Sequence, residues 1–62
     1  MEIDKLLTHK KAAEKLGIVP ATLSVWRSRD KGPAYFKIGA AVRYRADDID
    51  AWVETRRIDT QK

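Results

Sequence analysis

The side chains of this 62-residue chain that could bind another molecule are mainly cationic, and they lie in one stretch. Residues 5 to 45 carry ten lysines and arginines against two acidic residues, Glu14 and Asp30, while the other acidic residues gather near both ends. Because phosphate neutralisation supplies most non-specific affinity for nucleic acids, this distribution favours a polyanionic partner. A solvated basic surface is the alternative interpretation.

Catalytic and metal chemistry find little support in the same residues. The chain has no cysteine, which excludes a disulfide or a thiolate zinc site, and its one histidine, His9, cannot form a metal site alone. His9, Asp47 and Asp48 do not supply a nucleophile, a base and an orienting group, and no glycine-rich phosphate loop is present. We therefore expect a protein that is not an enzyme and that needs no metal or cofactor.

The length allows one small domain, of a size that buries only about 60% of the surface of its unfolded chain. No apolar run approaches the roughly 20 residues of a membrane span, and the first residues, MEIDKLL, lack the regions of a signal peptide. These observations predict a single domain over residues 1–57, a frayed tail over residues 58–62, and a cytoplasmic protein without a membrane partner.

Residues 8–29 read as two short helices joined by a tight turn. Thr8 is a residue type that caps helix N-termini, and the apolar spacing that follows predicts a first helix ending at Leu16. Gly17 can close that helix in the left-handed conformation, and Pro20 is suited to the first turn of the next one. The pattern favours a helix-turn-helix unit, with an αα-hairpin that has no role in DNA binding as the alternative.

Two strand-like runs follow the second helix, which is expected to be broken by Asp30, Lys31, Gly32 and Pro33. The runs are residues 35–38 and 42–45, and the three residues between them, 39–41, suit a hairpin with a bulge.

Alternation along the second run predicts which side chains are buried. Val42 and Tyr44 are expected to face the core, whereas Arg43 and Arg45 face outward.

The last run, residues 46–57, predicts a third helix. Its early aspartates suit the positive end of the helix dipole, and Arg56 and Arg57 suit the negative end. Trp52 is interpreted as a core anchor, like Trp26 in the second helix, with base stacking as the less favoured role for Trp26.

The order of elements predicts a winged helix-turn-helix, a mostly α fold with a small β-hairpin: two helices, a two-stranded wing and a C-terminal helix. The predicted core residues are Leu16, Ile18, Leu23, Trp26, Ile38, Val42, Tyr44, Ile49, Trp52 and Val53.

Several motifs in this order resemble one protein family. The segments LLTHKKAAEKLGIVPATLSVWR, GPAYFKIG and VRYRADDIDAWV, which cover Leu6 to Arg57, are similar to the short excisionase-type winged helix-turn-helix proteins, a branch of the MerR-like DNA-binding domains. The resemblance implies a bacterial or phage DNA-binding protein, in the bacterial nucleoid or a phage-infected cell. Such proteins act as transcriptional regulators, or as excisionases that bend DNA and direct a recombinase.

The chain departs from that family in two places. Val19 stands before Pro20 where a serine cap is frequent, so the second helix lacks a side-chain cap. The hairpin tip reads Gly39, Ala40, Ala41 and offers no cationic side chain where such proteins often have one. Phosphate contacts of the wing would come from backbone groups and from the basic residues of its strands.

The expected DNA contacts fall into three groups. In the recognition helix they are Ala21, Thr22, Ser24, Val25, Arg27, Ser28 and Arg29. In the wing they are Lys37, Gly39, Ala40, Ala41, Arg43 and Arg45. In the first helix they are Thr8, Lys10 and Lys11, which would meet the DNA backbone. Phosphate contacts are the alternative to base contacts for the arginines, and a solvated face is the alternative for the two lysines.

The leading hypothesis is therefore a sequence-specific binder of double-stranded DNA. Because one small domain has a small footprint, we expect cooperative self-association on repeated half-sites, or help from a recombinase (integrase) or RNA polymerase. The competing hypothesis is a protein-interaction adaptor that uses the acidic C-terminal helix, where Asp47, Asp48, Asp50 and Glu54 either bind a basic partner or are simply solvated.

Overall fold

A computed structural model describes residues 5–58 of the protein. Its elements in chain order are β1 (Leu7–Thr8), α1 (His9–Leu16), α2 (Pro20–Ser28), β2 (Phe36–Ile38), β3 (Ala41–Tyr44) and α3 (Ala46–Thr55). This order confirms the mostly α, winged helix-turn-helix fold.

Hydrogen bonds at both ends of helix α1 determine where it begins and ends. The Thr8 hydroxyl accepts a hydrogen bond from the Lys11 amide at 3.1 Å, which satisfies one free N–H of the first turn. At the other end Gly17 has a φ of 72°, and the amide of Ile18 donates to the carbonyl of Ala13 at 3.0 Å. This Schellman-type ending turns the chain sharply toward α2.

Helix α2 starts without a side-chain cap, because Val19 occupies the N-cap position and Pro20 the first turn. Its C-terminal end repeats the Schellman pattern, with the Lys31 amide donating to the Trp26 carbonyl at 2.7 Å. Here Asp30 takes the left-handed position with a φ of 58°. Aspartate tolerates this conformation better than most residues, so the helix ends without a glycine at that position.

The sheet has three strands in the order β1-β3-β2, all antiparallel, rather than the two strands predicted for the wing. The additional strand pairs Leu7 with Tyr44 and Thr8 with Arg43. Thr8 therefore both ends β1 and caps α1, which attaches the start of the first helix to the base of the wing.

The hairpin connection is shorter than predicted. Ile38 pairs with Ala41, so only Gly39 and Ala40 lie in the turn. Gly39 has a φ of 61°, and Ala40 is not among the described residues with positive φ. A positive φ at the first central residue alone is typical of a type II′ turn, whose twist matches that of the paired strands.

The core lies where α1, α2, α3 and β3 meet. Its fully buried residues are Ala12, Ala13, Leu23, Tyr44 and Ile49. Leu7, Leu16, Ile18, Trp26 and Val42 pack against this cluster and are partly buried. The two alanines allow α1 to pack closely, because a larger side chain at either position would need volume that neighbouring atoms occupy.

The core predictions for Ile38 and Val53 were wrong. Ile38 is 46% exposed, because cross-strand pairing places it on the face of Arg43 and opposite to that of Val42 and Tyr44. Val53 is 45% exposed, since it lies at the edge of an open groove rather than under another element.

Helix α3 ends two residues earlier than predicted, at Thr55, so Arg56 and Arg57 follow it. None of the helices within the described range is long and apolar enough to cross a lipid bilayer. Ile58 is exposed, and the rest of the predicted tail, residues 59–62, lies outside the described residues.

Candidate nucleic-acid interface

One face of α2 carries small side chains that are open to solvent. Its exposed residues are Ala21, Ser24, Val25, Ser28 and, directly after the helix, Arg29, while Thr22 at the edge is half-buried. Leu23 lies on the opposite face and is buried in the core. The Ser28 hydroxyl donates to the Val25 carbonyl at 2.9 Å and so has only acceptor capacity left for a partner.

Arg27, which the sequence predicts to contact DNA from the flank of this face, is half-buried and directed toward α1 and β3. It follows Leu23 by four residues, so the helical repeat places both on the same side of α2. Its Nη1 lies 3.0 Å from His9 Nδ1 and donates to the Tyr44 hydroxyl at 3.2 Å. Its guanidinium carbon also lies 5.8 Å from the centre of the Tyr35 ring.

The contacts of His9 define the tautomer that this arrangement requires. Because an arginine can only donate, His9 Nδ1 must accept, and the proton must reside on Nε2. That Nε2 lies 2.8 Å from the carbonyl oxygen of Pro20 and can donate to it. His9 therefore links the first turn of α1 to the first turn of α2 and to Arg27.

The sequence-based prediction gave no positioning role to His9, Tyr35 or the Arg27 guanidinium. The four-residue spacing of Leu23 and Arg27 could have shown that Arg27 points inward, since both residues share a helix face. No local pattern marks His9 or Tyr35, because their partners lie far away in the sequence.

The basic residues of the wing do not form one surface. Lys37 pairs with Val42 and shares its face, whereas Arg43 lies on the other face with Phe36. Lys37 is exposed, and Arg43 is half-buried, with its Nη1 donating to the Val42 carbonyl at 2.8 Å. The two cations therefore flank the hairpin from opposite sides.

The predicted wing residues also spread along the length of the hairpin. Gly39 and Ala40 form the exposed tip, while Ala41 belongs to β3 and is half-buried. Arg45 lies at the far end from the tip, where it is the N-cap residue of α3 and its Nη2 is 3.9 Å from Asp48 Oδ1. Arg45 therefore lies outside the wing proper.

The first-helix residues lie near the start of α1. Lys10 and Lys11 are both exposed, and Lys11 Nζ is 3.8 Å from Glu14 Oε1 in a solvent-exposed pair that contributes little to stability. The Thr8 hydroxyl is already an acceptor for the helix cap, so it has only its proton to offer a phosphate.

The model of a protein family described as "Helix-turn-helix domain" matches residues 6–57 of the chain. The chain belongs to this helix-turn-helix family. The matched range begins just before β1 and extends past α3, so it includes every described element. No match to a curated protein accompanies the family match.

Membership in the helix-turn-helix family supports DNA binding by this small protein. In helix-turn-helix proteins the second helix presents its outward residues to the major groove, and here that helix is α2 with its exposed small side chains. The Arg27 contacts hold α2 against α1 and β3, so they determine how that face is oriented relative to the wing.

Three exposed cations of the helix-turn-helix unit and the wing have no acidic partner among the described residues. Within residues 5–58, no carboxylate lies within ion-pairing distance of Lys10, Arg29 or Lys37. The three charges come from α1, the end of α2 and β2. Their positive potential is therefore available to attract phosphates.

Proposed function

We propose that this protein binds double-stranded DNA in a sequence-specific manner, with α2 in the major groove and the hairpin against the flanking backbone. The observation that carries the proposal is the exposed face of α2, where small side chains allow close approach and Arg29 has no acidic partner among the described residues. A bulky or acidic surface at that position would oppose entry into the groove.

The residues of the exposed face suit different parts of a base pair. Thr22 and Ser24 carry hydroxyls that can bond base edges or phosphates, and the methyl groups of Ala21 and Val25 can contact a thymine methyl. Arg29 suits guanine or a phosphate. Arg27 acts mainly by positioning α2, because its Nη1 is directed at His9 of α1 and Tyr44 of β3 rather than at the exposed face.

The alanine tip of the wing leaves most of the sequence preference to α2. Gly39 and Ala40 carry no polar side-chain atom, so the tip can offer only backbone groups to a minor groove. Lys37 and Arg43 would contact phosphates on either side of the hairpin, which adds affinity without reading the bases.

For the biological role we propose a transcriptional regulator or an excisionase of a phage or other mobile element, acting in the cytoplasm. This part rests on the resemblance of residues 6–57 to excisionase-type proteins. Such a protein would work with a recombinase or with RNA polymerase. The small footprint of one domain favours cooperative binding of several copies to repeated half-sites.

The proposal can be tested by selecting the DNA fragments that the protein binds. The fragments come from a random pool and from the genome of the organism that encodes the protein. We expect one enriched half-site motif, near an integration site for an excisionase or at promoters for a regulator. An Arg29→Gln variant should bind more weakly, whereas Arg57→Gln, a change at an exposed arginine beyond α3, should bind the selected site normally. A pool without any enriched motif would contradict sequence-specific binding.

The salt dependence of binding tests the electrostatic part separately. If each copy neutralises about five phosphates, the log-log slope of affinity against salt concentration should lie roughly between −4 and −5. A slope near zero would contradict the phosphate contacts. Titration of one half-site against tandem half-sites tests cooperativity, because equal affinity per site would exclude it.

The adaptor hypothesis receives less support from the acidic helix. Asp50 Oδ1 lies 3.2 Å from Lys15 Nζ, and Glu54 Oε1 lies 3.5 Å from Arg57 Nη1. Asp48 is close to Arg45 in the same way. Since most of these carboxylates already have a cation beside them, this face of α3 offers a basic partner little unneutralised charge.

A further inference from the structure

An open apolar groove lies between the end of α2 and α3. It has a volume of about 490 Å³ and is lined by both tryptophans of the chain, Trp26 and Trp52, whose ring centres are 5.2 Å apart at an angle of 45°. The other lining residues are Leu16, Ile18, Lys31, Gly32, Val53 and Arg56.

The groove lies on the side of α2 that faces away from the candidate DNA surface. Trp26 lies near Leu23 on the inner side of the helix, whereas Ala21 and Val25 lie on the outer side. A duplex along the outer face would therefore leave the groove accessible. Gly32 contributes to this accessibility, because a Cβ atom there would lie only 3.3 Å from atoms of Trp26.

Two cations at the edge of the groove lack acidic partners. Lys31 and Arg56 are exposed, and no carboxylate in the described part of the chain lies within ion-pairing distance of either. By contrast, Arg57 beside them has Glu54. The guanidinium carbon of Arg56 lies 5.0 Å from the centre of the Trp52 ring, so a cation–π contact holds this charge at the groove.

We propose that this groove binds a short segment of a partner protein in which apolar side chains alternate with aspartate or glutamate. The apolar side chains would pack against the two tryptophans and Val53, and the carboxylates would pair with Lys31 and Arg56. This complementarity of charge selects an acidic segment over a basic one. The proposal goes beyond DNA binding and does not depend on it.

The shape of the groove favours a peptide segment over a small molecule. Sites for small molecules enclose most of the ligand surface, whereas Val53 at this groove is 45% exposed. An extended or helical segment can cover such an open surface and still keep its charged groups at the edge.

Selection from a random 12-residue peptide library, with the DNA-free full chain as the target, tests the proposal. We expect enriched sequences that combine leucine or aromatic residues with aspartate or glutamate. Binding of the labelled peptides is then measured by fluorescence anisotropy. Arg56→Glu and Lys31→Glu should each weaken binding about tenfold or more, because each places a like charge beside the peptide carboxylates.

Two further variants distinguish binding in the groove from general attraction between opposite charges. Val53→Asp should also weaken binding about tenfold, whereas Arg57→Glu, the matched change at an arginine outside the groove, should change it less than about twofold. Thermal unfolding followed by circular dichroism shows that each variant is folded. Each variant should be folded, because each substituted residue is exposed.

Three outcomes would overturn the proposal: no enrichment of acidic–apolar sequences, selected peptides that bind Arg56→Glu and Val53→Asp as well as the unchanged chain, or binding of small aromatic acids but of no peptide. Because the assay contains no DNA, its failure leaves the DNA-binding proposal unaffected. A peptide-saturated protein should still shift its selected DNA site, and competition between the two would contradict a separate groove.

Discussion

Trp26 and Arg27 are neighbours in α2, but their side chains project on either side of Leu23. The two side chains lie in opposite environments. The Trp26 side is apolar: its ring packs against Trp52 of α3, and the surface beside it is an open groove. The Arg27 side is polar, and its guanidinium meets His9 of α1 and Tyr44 of β3. One helix is therefore held by two different kinds of interaction.

This difference between the two sides assigns most of the stability of α2 to one side and its orientation to the other. The free energy of ring packing is proportional to the contact area, and it changes little with small rotations of α2. The Trp26 side should therefore supply most of the free energy that holds α2 in place. Hydrogen bonds depend on distance and angle, so the Arg27 side should set the orientation of α2 relative to the wing. For a DNA-binding protein the second property decides whether the exposed face and the hairpin fit the same duplex.

The largest expected effect is on the Trp26 side. Trp26→Ala should lower the free energy of unfolding by about 3 kcal/mol, because it removes the contact with Trp52 and leaves a cavity beside the core. That is a large part of the stability of so small a domain. Urea denaturation measures the loss, and Trp26→Phe should recover most of it. A loss below about 1 kcal/mol would show that the two sides do not differ as argued.

On the other side, Arg27→Gln should cost about 2 kcal/mol of stability, since it removes the donor shared by His9 and Tyr44. It should also weaken DNA binding while leaving the log-log salt slope unchanged. Arg29→Gln is the matched control, and it should reduce the magnitude of that slope by about one without a loss of stability. A reduced slope in the Arg27 variant instead would identify a direct phosphate contact.

A smaller effect is expected at the tyrosine that accepts from Arg27. Tyr44→Phe keeps the buried ring and removes only the hydroxyl, which should cost about 1 kcal/mol. Combined with Arg27→Gln in a double-mutant cycle, the two losses should not add, because both remove the same hydrogen bond. Additive losses would mean that the hydroxyl and the guanidinium act independently.

The smallest effects should come from two apolar residues outside the core. Ile38→Thr and Val53→Thr should each change the free energy of unfolding by less than about 0.5 kcal/mol, because both side chains are nearly half exposed. Ile49→Thr in the buried cluster is the contrasting variant and should cost several times more. A similar loss of stability at all three positions would show that Ile38 and Val53 contribute to the core as Ile49 does.

Local chemistry allowed much of the fold to be predicted. The boundary at Leu16 and the restart at Pro20 follow from Gly17, whose left-handed conformation few other residues adopt, and from the fixed φ of proline. The hairpin and α3 also follow from short-range patterns, although α3 ends at Thr55. Such features depend only on neighbouring residues, which is why a sequence reveals them.

The parts that could not be predicted depend on distant pairing. Strand β1 is only two residues long, Leu7–Thr8, and it exists because β3 offers it hydrogen bonds. The exposure of Ile38 depends on the cross-strand register, since a shift of one residue reverses which face a side chain occupies. Neither feature has a local pattern that could mark it.

The candidate site divides in the same way. The exposed small residues of α2 follow from its helical period, so their arrangement on one face is determined by the sequence alone. The four-residue spacing from Leu23 indicates only that Arg27 points inward, and the tertiary structure decided its role, because His9 and Tyr44 come within hydrogen-bonding distance only in the folded chain. A helical period fixes the direction in which a side chain leaves its own helix, whereas packing of distant elements fixes which groups it meets.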